Sequence, residues 1–414
     1  MARIVFFTDI EEGHLFPSFG LANSLRKRGH QVLYIGVPDN EKHIRDQGFD
    51  FIPVFTNIYP KGFNERRKQL HKEGRPNITR QRLHFDELIS EPFGLFLKNM
   101  EANLFVMSTF LNIEALIFYY RFGITPVLYT PLLWETDINI LSNCVDEVLK
   151  MPQENMSKLI GLTDSLGIKA SSFAALLQPL NQFCELILCP EEMETGKRKI
   201  ENNAYYIEPS ISGRKGQGDI SLLTEAANGK KIIYASMGSQ TVAYGEICHL
   251  FFHALLQVMR LEEMRDLHLV LSVGKGKEAQ ELKPLSNNVS IVPWVSQLDI
   301  LQVSSLAIIH GGLGTVKECI YYGVPMVVIP IVRDQPGNAK RVVHHRLGTT
   351  VQPNDISPAT LLHAIQRSMN SQNIQDGILR MQAVFQQKEE AELGAIIIEN
   401  LLRTATQSSK SRVC

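Results

Sequence analysis

Six consecutive residues, His310-Gly311-Gly312-Leu313-Gly314-Thr315, carry the clearest chemistry in this chain. They follow an apolar run at 306–309 that has the composition of a buried parallel strand, and a helical pattern begins at Val316. Strand, glycine-rich turn and helix in that order bring backbone N–H groups and a helix N-terminus to one spot, an arrangement that suits a phosphate. A second apolar run, 326–329, ends at Pro330, and the loop beyond it holds Asp334 and Gln335. In open α/β sheets, ligands bind outside the carboxyl ends of the strands. Both loops belong to that rim, which fits a diphosphate with a hydroxyl-rich group beside it.

Other residues admit two readings. Thr315-Val316-Lys317-Glu318 has the spacing of a capping box, and Glu318 could equally accept hydrogen bonds from ribose hydroxyls. Ser236-Met237-Gly238-Ser239-Gln240 follows a strand and precedes a helix. Its small residues allow a ligand near the backbone, and serine is also a common N-cap. Trp294 could stack on a base whose edge Gln297 reads, or it could be core. His14, at the start of a helix after the first strand, could be a neutral general base aimed at an inter-domain cleft, or a polar first-turn residue. The chain has no Asp-x-Asp pair, so no metal ligands for a diphosphate are evident and no cofactor is expected. Leaving-group charge would fall to loop amides and a helix dipole.

The elements that must position these residues alternate strand and helix. Strands are expected at 4–8, 32–35, 51–54, 104–107, 125–129 and 186–189, with helices at 15–28, 40–47, 80–99 and 113–122. The alternation restarts at 232–235 and continues through 267–273, 289–292 and the segment above, and helices close the chain from 358 to 403. Residues 208–229 are rich in Gly, Ser and charge and read as a linker. The expected domains are 1–207, 230–385, and a C-terminal helix and tail at 386–414 that returns to the first. The fold class is α/β, two Rossmann-like βα domains facing a central cleft.

A net charge of −1 and a pI near 6.9 argue against a nucleic-acid partner. One stretch is strongly basic: Lys61, Arg66, Arg67, Lys68, Lys72, Arg75, Arg80 and Arg82. It reads as a solvated loop, with peripheral contact to anionic lipid as the sharper alternative. The six cysteines, at 144, 184, 189, 248, 319 and 414, form no CxxC pair and fit reduced thiols in a cytoplasmic protein. The N-terminus shows no signal-peptide pattern, and no apolar run reaches membrane-spanning length.

Trp294-Val-Ser-Gln297, His310 to Glu318, Gly323 to Pro330 and Asp334-Gln335-Pro-Gly-Asn338 together resemble the donor-binding signature of the GT-B UDP-glycosyltransferases, including bacterial macrolide and other natural-product enzymes. Glu12-Gly13-His14-Leu15-Phe16-Pro17 is similar to the catalytic-histidine segment of that family. The resemblance covers nearly the whole chain. It implies that Trp294 stacks on uracil and Gln297 contacts base or ribose. It assigns the diphosphate to His310, Gly312, Gly314 and Thr315, with Ser239 facing them. Glu318 would take ribose hydroxyls, and Asp334 and Gln335 the hexose. His14 would deprotonate the acceptor hydroxyl in an inverting transfer of a hexose, glucose by preference, from UDP to a lipophilic small molecule. Transfer of N-acetylglucosamine to a lipid-linked acceptor is the alternative within enzymes. The protein would act as a monomer or homodimer. Family members often carry an aspartate after the fourth strand to orient the histidine; this chain has Ser108 there, with Glu114 and Asp137 as other candidates. That departure leaves a nucleotide-sugar-binding partner with weak catalysis as a reading from another class.

Overall fold

The computed structural model describes residues 1–70, 78–133, 150–165, 173–196, 203–216, 218–238, 241–274 and 282–411. The chain divides into two compact units: 1–189, 198–214 and 391–414 form the first, and 190–197 with 215–390 form the second.

The first unit is built on seven strands: β1 Arg3–Phe7, β2 Gln31–Gly36, β3 Asp50–Pro53, β4 Leu104–Ser108, β5 Val127–Thr130, β6 Glu185–Ile187 and β7 Ala204–Tyr206. They pair in parallel in the order β3-β2-β1-β4-β5-β6-β7. Central strands such as Arg3–Phe7 are apolar on both faces because helices cover both sides. Chain order reverses between β1 and β4, where Phe7 lies opposite Met107. Loops leaving the carboxyl ends of those two strands therefore splay apart and leave a crevice.

The second unit repeats the plan with β8 Lys231–Ser236, β9 Leu267–Ser272, β10 Val289–Val292, β11 Ser304–Ile309, β12 Met326–Val328 and β13 Gly348–Thr350. The order is β10-β9-β8-β11-β12-β13, all parallel, and the reversal falls between β8 and β11.

Several expected helices are broken, each for a local reason. The stretch 15–28 splits into Glu12–Leu15 and Ser18–Lys27 around Pro17, which cannot donate a backbone hydrogen bond. The stretch 80–99 lies within Ile78–Ile89 and Glu91–Asn99, because Ser90 caps the second helix by accepting from Phe93 N–H. The final stretch is helical as expected, in three helices, Pro358–Asn370, Gln372–Ala391 and Leu393–Ser411, with Glu392 at positive φ between the last two. Strands β7 and β13 were not expected; each has three residues at a sheet edge, too short for a pattern to register.

The division between the two units falls at 214/215, inside the expected linker, and the part of that linker before it packs on the first unit. Glu208 and Ser210 are buried, the Ser210 hydroxyl donates to Pro17 C=O, and it accepts from Leu21 N–H at 2.9 Å. Gly20 lies so close to Ser210 that an added Cβ would sit 2.5 Å from it. The small residues that suggested flexibility are what allow this close packing. Farther on, Ser221–Ala227 is helical.

The last helix packs on the first unit. Ala395 and Ile398 are buried in one core with Ile4, Phe6, Leu21 and Leu25. Glu208 accepts from Gly394 N–H at 2.9 Å. Glu399 accepts from Arg28 at 2.9 and 3.1 Å and lies 3.2 Å from His30 Nε2. The Arg28 hydrogen bonds outweigh the opposing effect of burial and, with His30 adding to them, hold the Glu399 carboxyl down at about 2.

Part of the basic segment is engaged within the chain. Arg67 pairs with Glu11, Arg82 lies 3.2 Å from Glu154, and the Arg80 guanidinium sits 4.4 Å from the centre of the Phe63 ring. Lys72 and Arg75 lie outside the described residues. Among the described residues no helix is long and apolar enough to cross a membrane. Cysteines 189, 248 and 319 are buried and Cys184 is half-buried.

Candidate active site

His14 stands in the β1/β4 crevice of the first unit. The turn after β1 places Asp9 against it: His14 Nδ1 lies 2.9 and 3.0 Å from the two Asp9 carboxylate oxygens. Asp9 is held in turn, accepting from Glu11 N–H at 2.8 Å through its carboxylate and from Asn40 Nδ2 at 2.7 Å through its carbonyl. Burial pushes the Asp9 carboxyl up. The charge and hydrogen bond of His14, the Glu11 N–H and the Ser108 hydroxyl outweigh that and leave it below its ordinary value. From the other side of the crevice, Phe110 lays its ring flat on the imidazole, 3.7 Å between centres and 1° between planes. Tyr129 O–H donates to His14 C=O at 3.1 Å and fixes the backbone. With Nδ1 committed to Asp9, Nε2 is the free ring nitrogen; among the described residues nothing bonds to it.

Ser108 is therefore not the partner of His14. Its Oγ accepts from Phe110 N–H at 3.3 Å, which turns the chain so that Phe110 reaches the imidazole. Glu114 is taken by His84 at 2.9 Å, and Asp137 lies outside the described residues. Asp9 was missed because the aspartate was sought after β4, whereas β1 is the neighbouring strand. Its signal is a carboxylate two residues past the strand end and five before the histidine, close enough for one turn to join them. Phe85 and Phe93 lie in the core of the first unit and Phe96 packs against it. Among the described residues, Phe110 is the aromatic ring stacked on the histidine.

The second unit gathers most of the residues expected to bind a donor at its β8/β11 reversal. His310 is wedged between the two loops. A Cβ on Gly238 would come within 2.6 Å of His310 Cε1, and one on Gly312 within 2.7 Å of Nε2, so both glycines are spatially required. Gly238 also has φ +75°. Burial pushes the His310 imidazole down to about 4, so it is neutral, and its buried Nδ1 has no hydrogen-bond partner among the described residues. Replacing Gly238 with alanine should destabilise the protein by about 1–3 kcal/mol and abolish nucleotide binding. Gly314 faces open space, so Gly314→Ala should fold normally. Melting curves with and without UDP check both variants.

The capping-box reading of Glu318 is corrected. The helix Leu313–Tyr321 starts one residue after Gly312, without a side-chain cap, so Thr315 already lies inside its first turn. Glu318 and Thr315 instead meet Gln297. Gln297 Nε2 donates to Glu318 and, at 3.2 Å, to Thr315 Oγ1, while its Oε1 accepts from Tyr234 O–H at 3.1 Å. Gln297 thus orients Glu318. Trp294 is 55% exposed, a platform rather than core.

Asp334 and Gln335 stand at the end of β12. Gln335 is buried; its Oε1 accepts from Ile331 and Val332 N–H at 2.8 and 3.0 Å, and its Nε2 donates to Tyr244 O–H at 3.0 Å. Asn338, a helical turn on from Asp334, donates to Asp334 at 2.8 Å and to Gly311 C=O at 2.9 Å, tying this loop to the glycine loop. Its signal was the four-residue spacing from Asp334. Ser239 lies outside the described residues. Among the described residues no group of three His, Cys, Asp or Glu gathers as a metal site.

Known proteins share this fold. Residues 275–402 match the family model for UDP-glucuronosyl and UDP-glucosyl transferases. The NDP-glycosyltransferase YjiC of Bacillus subtilis is 23% identical over 394 residues, 94% of this chain and 95% of that protein. Among solved structures, the kitacinnamycin glycosyltransferase superposes with TM-score 0.75 at 22% identity, over 96% of this chain and 98% of that one. The spinosyn rhamnosyltransferase SpnG, solved with thymidine diphosphate, superposes with TM-score 0.67 at 16% identity, over 96% of this chain and 99% of that one. With the two parallel sheets and the matched segment 275–402 in hand, the chain is similar to the UDP-glycosyltransferases along nearly its whole length and is an enzyme of the GT-B fold.

Proposed function

We propose that this enzyme transfers a hexose, glucose by preference, from UDP to a hydroxyl of a lipophilic natural product, inverting the anomeric centre, with His14 as general base. The observation that carries the mechanism is the His14–Asp9 pair. Asp9 accepts the Nδ1 proton, which fixes the tautomer and leaves the Nε2 lone pair at the ring edge. Nε2 takes the acceptor's proton as its oxygen attacks the anomeric carbon. The bond from that carbon to the diphosphate breaks on the opposite face, and its electron pair leaves with UDP. The imidazolium formed is balanced by the Asp9 carboxylate and lies over the face of Phe110.

The donor reading rests on the glycine loop around His310, on Glu318 held by Gln297 for the ribose, and on exposed Trp294 for the base. Charge on the departing diphosphate would be met by backbone N–H groups and the start of the helix Leu313–Tyr321, without a metal ion. Relatives named as a mycarosyltransferase of demethyllactenocin and a zeaxanthin glucosyltransferase support an apolar acceptor. The non-catalytic reading drew on Ser108, and Asp9 removes its motive.

The test is UDP release from UDP-glucose with a panel of phenols, macrolides and carotenoid alcohols. UDP-glucose should outcompete UDP-N-acetylglucosamine, chelators should leave the rate unchanged, and the product's anomeric proton should show a β-linkage by NMR. UDP should raise the melting temperature more than TDP or GDP. An α-linked product, or UDP release unaffected by any acceptor, would overturn the proposal.

A further inference from the structure

The helix Thr241–Val258 contains a break. Gly245 adopts φ 43° and ψ −115°, so the turn before it follows its own direction. That turn carries Tyr244 to the donor loops. Its ring is tilted 38° to the His310 ring with 6.4 Å between centres, and its phenol oxygen lies 3.0 Å from Gln335 Nε2.

The orientation of Gln335 decides the rest. Its Oε1 accepts from two backbone N–H groups, at Ile331 and Val332, so the amide cannot be flipped without losing both. The Nε2 end therefore donates, and the phenol oxygen of Tyr244 accepts. The phenol's own proton is left to point elsewhere. Among the described residues no group accepts it. Burial raises the phenol above its ordinary value, more than Gln335 and Arg333 lower it, so the group remains a donor at neutral pH.

Resting on the reading that the glycine loop holds the donor's diphosphate, we infer that Tyr244 is a further catalytic residue. Its O–H donates to a non-bridging oxygen of the diphosphate and stabilises the leaving nucleotide. A phosphate oxygen only accepts, which matches a lone donor. The neighbouring imidazole is neutral and offers no charge, so a neutral O–H adds materially to the loop amides. No proton is transferred. As the carbon–oxygen bond breaks and its electron pair moves to the diphosphate, the O–H···O bond shortens and strengthens.

Tyr244→Phe removes this proton and keeps the ring. In the full-length protein, calorimetry should show UDP binding weakened about tenfold and UMP binding unchanged, since UMP lacks the second phosphate. Turnover should fall by about 10- to 100-fold, more than KM rises. Unchanged UDP affinity in the variant, with UDP bound normally by the wild type, overturns the assignment of Tyr244 alone. A rise confined to KM for the sugar donor also overturns it, because it moves the phenol to the sugar. A wild type that binds neither nucleotide overturns the diphosphate reading itself.

Discussion

His14→Ala should lower glycosyl transfer by about 10²- to 10⁴-fold, the usual contribution of a positioned general base. The loss should fall on turnover, because the imidazole lies in the first unit while the residues proposed to hold the nucleotide belong to the second. UDP affinity measured by calorimetry should be unchanged within about twofold, an allowance set by the roughly additive behaviour of distant sites. Folding should be little affected, since His14 is half-buried and its backbone contacts, including the one from Tyr129, do not need the ring. Turnover of the alanine variant equal to wild type would remove His14 from the mechanism.

Asp9→Asn should come close to the same loss, roughly 10²- to 10³-fold in turnover, although no group that touches substrate is deleted. The amide can still accept from Glu11 N–H, so the turn should survive. What changes is the face toward His14. If the amide presents its NH2 group to Nδ1, the imidazole must accept there and carry its proton on Nε2, where no lone pair remains for the acceptor. If it presents oxygen, the tautomer is kept but no charge balances the imidazolium. Ser108→Ala is the control: its Oγ supports Phe110 and Asp9 but not the imidazole directly, so it should cost only a few-fold, the effect of one neutral hydrogen bond. The order of the three variants in turnover, with nucleotide binding equal in all, checks the assignment. Asp9→Asn behaving like Ser108→Ala would mean that the histidine works unaided.

The sequence was most legible where a local pattern coincided with a steric demand. Gly311, Gly312 and the strand before them could be read directly because strand β11 ends in the apolar run 306–309 and Gly311 and Gly312 leave no room for a larger side chain. His14 was legible from its place after β1. Its partner was not, because the pairing depends on which strands are neighbours in space. Phe7 faces Met107 across the sheet, so the turn after β1 and the turn after β4 open into one crevice. Either turn can supply the carboxylate there, and here it is the first. Glu318 was ambiguous from spacing alone because a capping box and a ribose ligand use the same residues. The helix start at Leu313 removes the first option, and Gln297 supplies a partner from an element distant in sequence. Tyr244 was invisible for a similar reason: a glycine break inside an otherwise continuous apolar helix leaves no mark on the periodicity.

The return of residues 391–414 to the first unit changes what counts as a transferable module in this enzyme. Ala395 and Ile398 complete the same core as Ile4 and Phe6, and Glu399 is bound by Arg28 and His30. A hybrid that joined the amino-terminal half of this chain to the carboxyl-terminal half of a relative at a single junction would graft a foreign helix onto that core and oppose Arg28 with an unselected residue. Shuffling of acceptor preference, in the laboratory or by recombination between genes, would therefore succeed more often with two junctions, one near 214 and one near 390, so that the closing helix travels with the half it stabilises.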